Sequence, residues 1–131
     1  MSQENVEAVS AAFERFSRGD FTTAFEGMDD DFLFVTAVEM PDGGTYRGQE
    51  ARDWILAYVA SFDDYTQEAT EILDAGDSVV VAVLQRGCPR GSDVSVESRW
   101  WQVLTFRNGS VTRTQMFSER AQALEAARLS E

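Results

Sequence analysis

Residues 94–118, VSVESRWWQVLTFRNGSVTRTQMFS, decide the fold. Asn108-Gly109 stands between two runs of alternating character, and Asn-Gly in that setting is a strong short-range hairpin signal. The stretch therefore predicts a strand over 94–107, a tight turn and a strand over 110–118. Alternation gives each strand two faces. On the first, Ser98, Trp100, Gln102, Leu104 and Phe106 share one side, and Glu97, Arg99, Trp101, Val103 and Thr105 the other. The former set carries more large apolar groups and is assigned to the buried, concave side. On the second strand, Val111, Arg113, Gln115 and Phe117 oppose Thr112, Thr114 and Met116. Neither set reads clearly as a core face.

Upstream, the same period of two predicts strands over 65–74 and 78–87, broken by Ala75-Gly76-Asp77 and by a loop over 87–93. Val79, Val81, Val83 and Gln85 are placed inside, and Val80, Ala82, Leu84 and Arg86 outside. Before them the period is helical. Gly48 opens a helix in which Ala51, Trp54, Ile55, Tyr58, Val59 and Phe62 form one wide apolar stripe, which must lie on something. Residues 3–18 space Val6, Val9, Phe13 and Phe16 on a helix, with Ser2 as its cap and Gly19 as a left-handed exit. Asp20 caps a second helix over 21–28. Asp29-Asp30-Asp31 is read as a solvated junction, a strand is expected over 32–38, and 39–47 has loop composition. Ser118 caps a closing helix over 119–129. Short connections favour antiparallel neighbours. The expected fold is α+β: a cone-shaped, curved antiparallel sheet packed on helices, in one domain over 1–131.

Composition restricts the function. The 131 residues contain no histidine and one cysteine, Cys88, so Ser-His, Cys-His and histidine–metal chemistry and any intrachain disulfide are excluded. No metal site and no cofactor are expected. Twenty-three acids face eleven bases, all arginine, for a net charge of −12. That charge argues against nucleic acid or an anionic membrane as partner. No apolar run is long enough to span a membrane, and 1–20 lacks a signal-peptide pattern, so a cytoplasmic protein is expected. Asp29-Asp30-Asp31 lacks the ligand spacing of a calcium loop.

Taken together, ENVEAVSAAFERFSRGDFTTAFEGMDDDF, PDGGTYRGQEARDWI, EILDAGDSVVVAVLQRG, WWQVLTFRNGSVTRTQMF and ERAQALEAARL resemble the nuclear transport factor 2-like superfamily, SnoaL-like branch. The resemblance implies a cone-shaped α+β barrel with a pocket at one end, and members that often pair through their sheets. It also implies activities that range over isomerases, dehydratases, epoxide hydrolases and polyketide cyclases. Fold alone does not choose among them. Relatives often place a histidine where this chain has Gln102, and glutamine carries no proton at neutral pH. Arg86, Glu97 and Arg99 superficially resemble the Asp-Arg-Asp set of the epoxide hydrolases, but the face assignment puts them outside as an ion-pair ladder.

Trp54, Tyr58, Gln85, Trp100 and Gln102 are the expected pocket residues, a mostly apolar lining with a few polar groups, as small-molecule sites have. Packing alone would use the same aromatics. Without histidine, acid–base work falls to carboxylates and tyrosines. Glu39, with Tyr46, is the candidate catalytic pair; Asp53 and Glu71 are expected in solvent. The outer set Val80, Ala82, Leu84, Trp101 and Val103 is too apolar for water and predicts a homodimer through the convex face. Three readings follow: a small, largely apolar ligand in a conical pocket; a histidine-free isomerase, hydrolase or cyclase using a pocket carboxylate and a tyrosine; and an association module whose pocket is filled.

Overall fold

The computed structural model describes residues 2–37, 40 and 43–129. They form helix α1 (Ser2–Ser17), the short helix α2 (Phe21–Ala24), strands β1 (Met28–Val35) and β2 (Thr45–Arg47), helix α3 (Gly48–Ala60), strands β3 (Phe62–Ala75), β4 (Ser78–Pro89), β5 (Val96–Arg107) and β6 (Ser110–Phe117), and helix α4 (Arg120–Leu129). Asn108 and Gly109 both adopt left-handed backbone, φ 52° and 83°, as the β5–β6 hairpin turn requires. The six strands lie in the order β2-β1-β6-β5-β4-β3. The architecture is α+β, built on a curved sheet that does not close into a barrel.

Helices cover both faces. On the concave side Val9 and Phe13 of α1 are 2% and 8% exposed and pack on Val79, Val81 and Val83 of β4 and on Leu104 and Phe106 of β5. Gly19 ends α1 with φ 82°, and the Asp20 N–H reaches back to the Arg15 carbonyl, which is a Schellman closure. Asp20 then caps α2, its carboxylate accepting from the Thr23 N–H at 3.2 Å. On the convex side Ala123 and Ala127 of α4 pack on Val80 and Val103, with Leu73, Trp101, Phe117 and Leu124 around them.

The inside–outside division of β4 and β5 holds, and several expectations near it do not. The sheet is not wholly antiparallel: β1 pairs with β6 in parallel, because the helix-containing excursion from β1 to β6 permits that direction where a tight hairpin does not. The second helix ends at Ala24, not 28, and β1 begins at Met28, so the three aspartates lie inside a strand. Aspartate disfavours strands, but here the side chains face solvent while Arg52 donates to the Asp29 and Asp30 carbonyls (3.3 and 3.4 Å) and Arg47 to that of Asp31 (3.4 Å). The stretch 45–47, expected as loop, is β2, paired with Leu33–Val35 of β1. Phe62, expected on the α3 stripe, opens β3 instead and packs under Gly87.

The convex face also differs from expectation. Its apolar centre is covered from within the chain by α4, and Arg120 lays its guanidinium 5.5 Å from the Trp101 ring centroid. Beyond α4 the face carries Arg86, Glu97 and Arg99 as an exposed ladder, with contacts of 2.9 and 4.0 Å.

Candidate functional site

The curved sheet, α1 and α3 enclose a cavity of about 80 Å³ that is open on one side. Three features of local sequence set it there. The α3 stripe turns Trp54 and Tyr58 toward the sheet while Ala51 and Val59 are buried, at 0% and 8% exposure, on either side of them. Gly48 starts that helix at φ 58°, and a Cβ there would sit 2.8 Å from the Asp30 carbonyl oxygen. Glycine therefore lets α3 begin directly against β1. The β5 alternation presents Trp100, Gln102 and Leu104 from below.

The result is a run of aromatic contacts along one wall. Tyr46 stacks on Trp54 with centroids 5.5 Å apart, and Trp54 on Tyr58 at 5.6 Å with planes 4° apart. Tyr58 meets Trp100 edge to face at 6.3 Å and Tyr65 at 6.3 Å. Offset stacks and edge contacts of this kind each add about 1 kcal/mol beyond buried area. Gln85, 1% exposed, closes the wall: its Oε1 accepts from the Tyr58 hydroxyl at 3.0 Å and from that of Tyr65 at 3.3 Å. Tyr65 has one proton to share between Gln85 and Gln67, and the Gln67 Oε1 is the nearer acceptor at 2.7 Å.

Four of the five expected pocket residues come together in the lining, and Gln85 is not among them. Trp54, Tyr58, Trp100 and Gln102 line the cavity, and Gln85 anchors two of its tyrosines. Tyr46 stays out of the lining, behind Trp54. Glu39 lies outside the described residues. Asp53 is exposed and accepts from Gln49 at 2.9 Å, and Glu71 faces Arg120 at 3.7 Å on the outside, so neither serves the cavity. Sequence reasoning missed Tyr65, Gln67, Phe34 and Thr114, all in the lining. For β3 the signal was present: Tyr65, Gln67 and Ala69 are half-buried while Thr66, Glu68 and Thr70 are exposed. For β6 the ambiguity has a cause. The β5 register moves from Thr105 opposite Arg113 to Phe106 opposite Val111, a bulge at Thr112, which brings Val111 onto the same side as Thr114 and Met116.

Among the described lining residues there is no carboxylate and no guanidinium. The groups there that titrate are phenols, and both resist ionisation. Burial raises Tyr58 above its ordinary 10.0, partly offset by the Gln85 hydrogen bond. Burial raises Tyr65 further, and the neighbouring Tyr58 adds to it. Neither is a base near neutrality. No group of histidine, cysteine or carboxylate side chains able to hold a metal ion occurs among the described residues. Cys88 is half-buried, its thiol directed at the Ser92 carbonyl 2.9 Å away. None of the described helices is long and apolar enough to cross a membrane.

The curved sheet with its helices is the nuclear transport factor 2-like fold, as solved structures show. TerC, co-crystallised with polyporic acid, matches with a TM-score of 0.77 at 21% identity over 95% of this chain and 98% of its own. A nuclear transport factor 2-like protein of unknown function from Burkholderia pseudomallei K96243 matches with a TM-score of 0.77 at 19% identity, over 93% and 95%. Bal32a, from a soil-derived mobile gene cassette, matches with a TM-score of 0.78 at 19% identity, over 95% and 96%. Within the class, the SnoaL-like domain model matches residues 9–114, and the chain belongs to that family. No curated protein matches it.

Proposed function

We propose that this protein binds a small, largely apolar molecule in the cavity between α3 and the concave sheet. The observation that carries the proposal is the lining: Trp54, Tyr58, Tyr65 and Trp100 around a space of about 80 Å³, with no charged group among its described residues. An apolar wall with a few fixed polar groups is what small-molecule sites offer. The cavity is about half the size of an engineered one of about 150 Å³ that takes benzene, which favours a ligand of few heavy atoms or one that protrudes through the open side. TerC, of the same fold, was crystallised with polyporic acid, which supports small-molecule binding as a use of this architecture. The open cavity also counts against the filled association module.

The competing reading, a histidine-free isomerase, hydrolase or cyclase, rests on Glu39 as base, because the tyrosines of the described lining hold their protons. Thermal melts against a panel of neutral and charged small molecules, repeated on Glu39→Gln, separate the two. Binding predicts that neutral apolar compounds raise Tm in both proteins and emerge chemically unchanged. Conversion of a compound by the parent protein and its loss in Glu39→Gln would replace binding with catalysis.

The proposal includes a homodimer through the convex face. With α4 over the apolar centre, such a contact engages the Arg86–Glu97–Arg99 ladder rather than an apolar patch.

A further inference from the structure

Two residues that line the cavity each carry a polar side-chain atom that packing does not account for. Trp100 Nε1 and Thr114 Oγ1 are shut off from solvent and have no hydrogen-bond partner among the described residues. Thr114 is 3% exposed, and both residues line the cavity. A buried donor left unpaired is costly, so native proteins keep few of them. The other polar groups of the wall are occupied differently. Tyr58 and Tyr65 already direct their protons to Gln85 and Gln67. Gln67 and Gln102, also in the lining, carry amides that can donate or accept, whereas the indole N–H can only donate.

We infer that the ligand is a neutral molecule presenting a carbonyl-type oxygen to Trp100 Nε1, its apolar body lying against Trp54 and Tyr58. The inference rests on the cavity being the binding site. An indole nitrogen donates only, so the ligand atom beside it must accept. An anion would accept too, but no guanidinium among the described lining residues would balance its charge, and the chain carries −12 overall. A cation would find aromatic faces but would meet the positive end of the N–H dipole. Thr114 sits opposite Leu104, four residues along β5 from Trp100, so about 13 Å of strand separates the two positions. Its hydroxyl, which donates or accepts, is a second unpartnered group among the lining residues and suits a second oxygen on a longer ligand.

The test uses ¹⁵N-labelled protein and three probes of one shape: cyclopentanone, methylenecyclopentane and cyclopentylammonium. The three tryptophans give three indole N–H signals, and Trp100→Phe identifies its own by loss while keeping an aromatic ring. Should that variant not fold, Trp54→Phe and Trp101→Phe identify it by elimination. The expected result is a ketone bound about tenfold more tightly than the alkene, a downfield move of the Trp100 indole proton with the ketone alone, and near-equal affinities in Trp100→Phe. Equal binding of ketone and alkene with that proton unmoved overturns the inference and leaves the cavity reading standing. Tightest binding by the ammonium probe overturns it in favour of an aromatic cage for cations. Absence of binding by all three, with no shift at Trp54 or Trp100, overturns the cavity reading and the inference with it.

Discussion

Replacing Gln85 by leucine isolates the polar joint that fixes the cavity wall. Gln85 is 1% exposed and accepts from Tyr58 at 3.0 Å and from Tyr65 at 3.3 Å. Leucine nearly preserves the volume, so no cavity contribution enters. Tyr65 keeps Gln67 at 2.7 Å, whereas Tyr58 has its acceptor removed. One stranded hydroxyl costs about 1–3 kcal/mol when fully buried, and Tyr58 is half-buried, so a loss of about 1–2 kcal/mol is expected. That corresponds to a fall of roughly 4–8 °C in Tm. Tyr58→Phe removes the other partner, and the double variant should cost little more than Gln85→Leu alone, giving a coupling of about 1 kcal/mol. Urea unfolding of the four proteins measures each value. A Gln85→Leu protein as stable as the parent, or strictly additive costs, would refute the assignment of this joint as a stabilising hydrogen bond.

Gly48→Ala should destabilise by about 2 kcal/mol or more, because it imposes both a left-handed side-chain residue and a Cβ 2.8 Å from the Asp30 oxygen; denaturant titration reads it. Stability should hold up to about pH 10 and then fall. Above that pH the unfolded chain releases the Tyr65 proton while the folded chain, with its raised value, retains it; the slope is about 1.4 kcal/mol per pH unit, and Tyr65→Phe should flatten it in alkaline melts. Light scattering should give twice the 14.6 kDa chain mass, and Glu97→Arg, which sets three like charges on the outer ladder, should return a single chain mass; a monomeric parent protein refutes the dimer.

What was legible in the sequence follows from which signals are local. The period of two across β4 and β5, the helical stripe of α3 and the Asn108-Gly109 turn depend on near neighbours, and the faces read from them place Trp100 inside and Trp101 outside. The edges of the sheet were hidden because distant contacts decide them. Asp29-Asp30-Asp31 becomes strand only once Arg47 and Arg52, roughly twenty residues on, take up its carbonyls. Thr45–Arg47 becomes strand only against Leu33–Val35. The parallel pairing of β1 and β6 likewise joins segments far apart in the chain. Of the site, the α3 and β5 residues were readable from periodicity, while Thr114 was concealed by the Thr112 bulge, which breaks the alternation that would have placed it. The convex patch was misjudged because alternation shows that a face is apolar but not that α4 will return to cover it.

The most direct test of a largely apolar, ligand-sized space beside Trp54, Tyr58 and Trp100 is diffraction from crystals of the protein held under xenon, which enters apolar cavities and leaves polar, hydrated ones. A xenon peak enclosed by those three rings and Leu104 is predicted. A hollow occupied by ordered waters, or closed by the neighbouring side chains with xenon bound elsewhere, would contradict the account.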